Sequence, residues 1–176
     1  FESRDYSAVC IVAPAQSGKT ALSTCWLAYN VVCDPSDFMI VEKSQTEAKN
    51  FSMMKVDRMI RHSPAINERL IQRRTASNIH DKKFKSGTFL TMTWPTVNSL
   101  SGKTIRRVAL SDYDRMDQDV GGEGSPFDLA RRRTNTFKRL GMTYVESSPS
   151  YDSLNPSWRP ATPHEAPPTE GIVGIY

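Results

Sequence analysis

Apolar residues in this chain fall into short blocks separated by polar, helix-periodic segments. Ala8-Val9-Cys10-Ile11-Val12 is an unbroken apolar run and predicts a buried strand over 8–13. From 18 to 32 the period lengthens. Leu22, Cys25, Trp26, Tyr29 and Val32 recur at three- and four-residue steps, predicting a helix with that stripe toward the core. Asp34-Pro35-Ser36 breaks the chain, and Phe38-Met39-Ile40-Val41 predicts a second buried strand. Ser44 and Glu47 have capping-box spacing at the head of a helix running to about Arg61. Met53, Met54, Val56, Met59 and Ile60 are its apolar, core-packing positions. Ser63-Pro64 ends it, with a short helix to Leu70 expected after it.

Residues 79–85 and 88–94 then flank Ser86-Gly87 as the arms of a hairpin. Asp81-Lys82-Lys83-Phe84-Lys85 on the first arm reads as a solvated strand face or as a DNA-backbone contact. Residues 105–110 predict a further buried strand, which ends on Ser111-Asp112-Tyr113-Asp114. A Gly-rich loop (Gly121-Gly122-Glu123-Gly124) leads to Ser125-Pro126 and a helix through Phe137, and residues 142–145 make a last strand. Alternating strands and helices predict an α/β domain over 1–150, with a mostly parallel central sheet flanked by helices. Residues 151–176 are rich in Pro, Ser and Thr and are expected to be a linker or tail.

Composition narrows the function classes. With 176 residues and 38% apolar content, the chain suits one domain with a real core. It starts at Phe1 and ends abruptly at Tyr176, and reads as a piece of a longer protein. No apolar run approaches the roughly 20 residues of a membrane span, and no membrane partner is expected. Cys10, Cys25 and Cys33 lie in predicted core elements without metal-ligand spacing, which points to buried free thiols in a reducing cytoplasm. His62, His80 and His164 are scattered, which argues against zinc. A net charge of +4, from 23 Lys and Arg against 19 Asp and Glu, is compatible with nucleic acid without establishing it.

The chemistry concentrates in Ala13-Pro14-Ala15-Gln16-Ser17-Gly18-Lys19-Thr20. Lying between a predicted strand and a predicted helix, this segment has the context of a phosphate-binding loop. Backbone N–H groups of the loop and first helical turn converge on an anion, and the helix dipole favours negative charge there. Ala13, Gln16, Ser17 and Gly18 are therefore candidate nucleotide contacts. Lys19 is the candidate for the β- and γ-phosphates of ATP, and Thr20 for the Mg²⁺ shell. The usual first-position Gly is replaced by Ala13, which narrows the backbone angles without forbidding the turn. A second Ser-Gly-Lys-Thr, at 101–104, runs into a strand instead of a helix. Without a helix N-terminus it is a poor phosphate site, though Lys103 remains a candidate contact for a nucleic-acid phosphate.

In nucleotide hydrolases of this architecture a second strand ends in acid beside the loop, one carboxylate orienting Mg²⁺ or its waters and another polarising the attacking water. Asp112 is the first candidate for both roles, and Asp114 points the other way if the strand continues or lies nearby if the chain turns. The ordered set of segments resembles the ATPase half of a phage terminase large subunit of the lambda-like GpA class. It comprises residues 13–20, Asn98-Ser99, Ser111-Asp112-Tyr113-Asp114-Arg115, Gly122-Glu123-Gly124-Ser125-Pro126, Leu129-Ala130-Arg131-Arg132-Arg133-Thr134 and Ser147-Ser148-Pro149-Ser150. The resemblance implies an ASCE-like P-loop ATPase that drives double-stranded DNA into a preformed capsid as a homo-oligomeric ring. It implies a portal protein and a small terminase subunit as partners, and the bacterial host cytoplasm, transiently on the procapsid, as location. It also implies a γ-phosphate sensor at Ser147 and Ser148, whose hydroxyls suit a turn cap equally. A nuclease half would follow Tyr176, and an adenine-contacting segment would precede the first strand.

The family pattern at the acidic strand end is Asp-Glu-x-Asp-Arg. Aligned on Asp114-Arg115, Ser111 takes the metal-orienting position and Asp112 the catalytic one. Aligned on the first Asp, Asp112 takes the metal role and Tyr113 stands where Glu belongs. Either way one carboxylate is missing, and Glu123 and Glu146 are the candidates to replace it. Arg131, Arg132 and Arg133 occupy most of one helical turn, as an arginine finger offered to a neighbouring subunit or as solvated surface. A helicase- or recombinase-like DNA-dependent ATPase and a nucleotide-binding regulatory module with little turnover are the competing readings. A small-molecule kinase is disfavoured, because no Arg-rich lid segment follows the sheet.

Overall fold

The computed structural model describes residues 5–73 and 76–148 and the backbone of Ile172–Ile175. Among the described residues seven strands form one sheet: β1 (Ala8–Val12), β2 (Phe38–Val41), β3 (Asp81–Lys83), β4 (Phe89–Thr93), β5 (Arg107–Leu110), β6 (Met142–Ser147) and β7 (Ile172–Ile175). Their order is β3-β4-β2-β5-β6-β1-β7, and only the β3–β4 hairpin is antiparallel. The hairpin turns at Gly87, whose φ of +90° is open to glycine at little cost. In the stretch expected as linker or tail, Ile172–Ile175 pairs in parallel with β1, and residues 149–171 lie outside the described residues. One strand, β6, separates the loop strand β1 from β5, where the acidic segment begins.

Period-two alternation sorts the strand residues onto two faces. One face buries Phe38, Ile40, Ala109 and Tyr144 against Trp26, Leu27 and Val31 of α1 (Lys19–Val32), and against Phe51, Val56 and Ile60 of the following helices. The other buries Met39, Val41, Val108, Leu110 and Val145 against Leu100 of α5 (Val97–Leu100) and Leu129 and Ala130 of α6 (Pro126–Thr134). The second helical segment runs as α2 (Gln45–Phe51), a π-helical turn (Ser52–Val56) and α3 (Asp57–His62), followed by α4 (Pro64–Asn67). As its spacing with Glu47 predicts, Ser44 caps α2 by accepting from Glu47 N at 3.3 Å.

Three expectations are corrected. The inward face of α1 is Lys19, Ser23, Trp26, Leu27, Asn30 and Val31, while Leu22, Cys25 and Tyr29 are exposed. The loop sets this phase by turning Lys19 inward, and hydrogen bonding makes the polar inward positions tolerable. Ser23 donates to the Thr20 carbonyl at 2.9 Å, and Asn30 bridges Ser36 and Arg107. Of the cysteines only Cys10 is buried. Met53 and Met54 are exposed, because the π turn adds a residue and rotates them off the core side that Val56 and Ile60 keep.

Candidate functional site

The loop after β1 turns on two left-handed residues, Gln16 (φ 61°) and Gly18 (φ 88°). Gly18 is the N-cap of α1 and offers no side-chain oxygen, so no side chain caps the helix. That leaves the first-turn amides available to an anion. Lys19 is buried and folds across its own loop, donating to the carbonyls of Ala13 (2.8 Å) and Pro14 (2.7 Å) and reaching Ser17 Oγ at 3.4 Å. The second Ser-Gly-Lys-Thr lies between α5 and β5, and Lys103 is exposed there without a helix behind it.

Thr20 connects the loop to the sheet. Its hydroxyl donates to Glu146 Oε1 at 3.2 Å, and Ser111 Oγ donates to the same oxygen at 2.8 Å. Tyr144 OH lies 3.2 Å from both Glu146 Oε2 and the Lys19 carbonyl. Glu146 is 2% exposed. Burial pushes its carboxyl above the usual range, against hydrogen bonds from Ser111, Thr20 and Tyr144, and the charge of Asp112 adds to the rise. Glu42 follows β2 and is also buried. Burial, with the charges of Glu146, Asp112 and Glu47, pushes its carboxyl up to about 8 against a Ser111 hydrogen bond. Its Oε1 has no hydrogen-bond partner among the described residues.

The acidic segment turns after β5 through a 3₁₀ helix at Tyr113–Arg115. Ala109 faces α1, so Ser111 two residues on reaches Glu146 beside Thr20. Asp112 adopts left-handed backbone (φ 53°, ψ 46°), a conformation Asp tolerates better than most residues. It is 42% exposed in its side chain and lies 3.5 Å from Lys43 Nζ. Asp114 turns to the end of β6, where its N–H donates to Ser147 Oγ at 3.1 Å and the Ser147 hydroxyl donates back to Oδ1. Ser147 also closes the loop strand, its carbonyl accepting from Ala13 N at 3.2 Å. Ser148 is half-buried after β6.

The remaining candidates lie elsewhere. Glu123 is exposed in a turn closed by Val120 N to the Gly124 carbonyl. On α6, across the sheet from α1, the three arginines diverge. Arg131 sits over the Phe127 ring at 5.7 Å, Arg133 folds back on the Leu129 carbonyl at 3.4 Å, and Arg132 is exposed. The basic hairpin arm also divides. Lys82 is buried against Asp57 at 3.1 Å, whereas Lys83 and Lys85 face solvent.

Among the described residues no three His, Cys, Asp or Glu side chains are grouped to hold a metal. The donors beside the loop are hard oxygens, from Thr20 and the two buried carboxylates. They fit Mg²⁺ bound mainly through phosphate and water. Sequence reasoning placed Glu146 only as a substitute and missed Glu42, Lys43 and Tyr144. A usable signal was an acid directly after an apolar strand (Phe38-Met39-Ile40-Val41-Glu42), since ligands bind outside the carboxyl ends of strands in such sheets.

Solved structures of phage large terminases share the fold. The HK97 bacteriophage large terminase superposes with a TM-score of 0.63 at 14% identity, over 83% of this chain and 30% of that one. The large terminase ATPase domain of Thermus phage P74-26 gives 0.62 at 14% identity, over 97% and 75%. The chain thus spans less than a third of the HK97 protein. No curated protein matches the sequence. Residues 1–167 match the family described as phage terminase large subunit gpA, ATPase domain. With a Gly-Lys-Thr loop seated between β1 and α1 and acids at the ends of the neighbouring strands, the chain belongs to that family.

Proposed function

We propose that this domain binds ATP with Mg²⁺ and hydrolyses it to drive double-stranded DNA into a procapsid. The observation that carries the reading is the junction at which Thr20, beside Lys19, and Ser111 at the end of β5 both donate to the Glu146 carboxylate on β6. Lys19 would leave its loop carbonyls for the β- and γ-phosphates, with Ala13, Gln16, Ser17 and Gly18 supplying backbone contacts. Thr20 would hold Mg²⁺, which supplies charge neutralisation at the phosphates. Asp112, exposed at the mouth of the site, would polarise the attacking water once Lys43 releases it. Asp114 and Ser147 tie the acidic turn to the loop strand, which suits a route from nucleotide state to DNA grip. The arginines of α6 would serve a neighbouring subunit in a ring, with portal protein and small subunit as partners. The work would take place in the bacterial host cytoplasm and on the procapsid. Among the described residues no helix is long and apolar enough to cross a membrane.

The test is DNA-stimulated ATP hydrolysis by the full-length protein, followed by procapsid-dependent DNA uptake. Asp112→Asn is expected to lower turnover while leaving ATP affinity nearly unchanged. DNA-stimulated hydrolysis without procapsid-dependent uptake would favour a helicase-like motor. The neutral Ser111 at the acidic strand end favours one second reading, a nucleotide-binding module with little turnover. Absence of DNA-stimulated hydrolysis would select it.

A further inference from the structure

We propose that Glu146 on β6 is the carboxylate that positions the cation through Thr20, a charge the acidic end of β5 lacks because Ser111 stands there. The inference rests on the nucleotide-hydrolase reading and adds a residue to it. Ser111 occupies the position beside Thr20 that the strand alternation assigns, but a hydroxyl carries no charge to offer a cation. Glu146 lies on the adjacent strand, one step nearer the loop. One of its oxygens accepts from both Ser111 (2.8 Å) and Thr20 (3.2 Å), so the strand end and the loop meet on that atom. A threonine hydroxyl that ligates a cation through its lone pair still has a proton to donate. Glu146 is placed to receive it and so to orient the ligand, as an outer-shell carboxylate does.

Two further observations support the assignment. The carboxylate is held on its other side by Tyr144 OH at 3.2 Å and is 2% exposed, so its place does not depend on a mobile side chain. Glu42, on the same face, is 6% exposed, lies within electrostatic reach of Glu146, and keeps Oε1 without a partner among the described residues. A buried carboxylate oxygen is ordinarily satisfied, and a hydrated cation beside Thr20 would satisfy this one. Glu146 is therefore a positioning residue, with Glu42 behind it.

The test uses the full-length protein and two readouts that need no turnover. One is ADP affinity in EDTA. The other is the Kd of Mn²⁺ for the protein–ADP complex, followed by electron paramagnetic resonance. Glu146→Gln keeps the shape and the hydrogen bonds to Tyr144 and Thr20 but removes the charge. It is expected to weaken Mn²⁺ by roughly 10–100-fold while leaving ADP affinity in EDTA unchanged. Returning a carboxylate to β5 in the same background, Ser111→Asp/Glu146→Gln, is expected to recover most of the loss. A merely structural role for Glu146 would give no such rescue. Wild-type Mn²⁺ affinity in Glu146→Gln overturns the proposal, and so does a loss that Ser111→Asp leaves uncorrected. Failure of the wild-type protein to bind ADP with or without metal would instead overturn the nucleotide-hydrolase reading itself.

Discussion

Ser147 and Asp114 hold each other by two hydrogen bonds, the serine hydroxyl accepting from Asp114 N at 3.1 Å and donating to Asp114 Oδ1. The pair ties the turn that carries Asp112 to the end of β6, whose last carbonyl in turn accepts from Ala13 N at the start of the Gly-Lys-Thr loop. Ser147 is fully buried, so its hydroxyl acts within the fold and does not face solvent.

Ser147→Ala is expected to release the acidic turn. Hydrogen bonds to charged groups are worth about 1.5–3 kcal/mol, and the substitution should lower unfolding free energy by about that amount. Because the phosphate loop is untouched, ATP affinity should stay near wild type while DNA-stimulated turnover falls. Denaturant unfolding, nucleotide titration and an ATPase assay on one preparation check all three. Wild-type turnover in a destabilised variant would confine the pair to a structural role.

Lys19 and Lys103 follow the same Ser-Gly dipeptide and should behave differently. Lys19 crosses a loop that opens a 14-residue helix, whereas Lys103 stands exposed before β5. Lys19→Ala is expected to weaken ATP by about 1.5–3 kcal/mol through loss of a charge-assisted phosphate contact. Lys103→Ala should bind ATP as the wild type does. Parallel titrations decide it, and the reverse ranking would move the nucleotide site.

The contrast between these lysines also marks what the sequence makes legible. A strand, a Gly-Lys-Thr and a helix are contiguous in the chain, so local pattern suffices to place them. The Ser44 cap and the Gly87 hairpin are equally local. The inward face of α1 was misread because Ser23 and Asn30, which pattern assigns to solvent, are satisfied inside, Ser23 by the Thr20 carbonyl and Asn30 by a partner far away in sequence. Asn30 meets Arg107, 77 residues on. The junction at Glu146 is illegible for the same reason. Thr20 and Glu146 are 126 residues apart, and they touch only because β6 inserts between β1 and β5. Strand order is a property of the folded sheet, and hydrophobic periodicity does not encode it.

Asp34 supplies a pH-dependent element beyond the other end of α1 from Lys19. Its carboxylate binds Arg106 at 2.6 Å and also binds the fully buried Arg107. The Arg106 hydrogen bond, with the hydrogen bond and charge of Arg107, holds its carboxyl below the usual carboxylate range, while burial opposes the shift. A depressed folded-state pKa stabilises above the unfolded value, about 3.9. That contribution is lost as pH falls through the lower folded value. Asp34→Asn should therefore cost about 2 kcal/mol at pH 7, discounted because the side chain is about a third exposed. The gap from wild type should close below about pH 4. Urea unfolding at pH 7 and pH 3 measures it, and a gap that widens on acidification would contradict the assignment.

The three arginines of α6 are not equivalent, and this sharpens the expectation of a finger acting between subunits. Arg131 is committed to the face of Phe127 and Arg133 to the Leu129 carbonyl, both within their own helix. Arg132 is exposed between them, so it is the member best placed to reach a phosphate bound by a neighbour. An arginine finger is worth roughly 10³–10⁵ in rate, so Arg132→Ala should nearly abolish hydrolysis in the assembled ring while leaving ATP affinity intact. The loss should be complementable. An Arg132→Ala subunit keeps a working phosphate loop, and a Lys19→Ala subunit keeps its arginine. A mixed ring of full-length subunits, formed with DNA and portal, therefore contains interfaces at which the second supplies what the first lacks. Such mixtures should hydrolyse ATP when neither protein does alone, with activity rising and falling as the ratio is varied. Normal hydrolysis by Arg132→Ala in that assembly would make the residue plain helix surface. A dead variant that no mixture rescues would place the arginine's action within its own subunit.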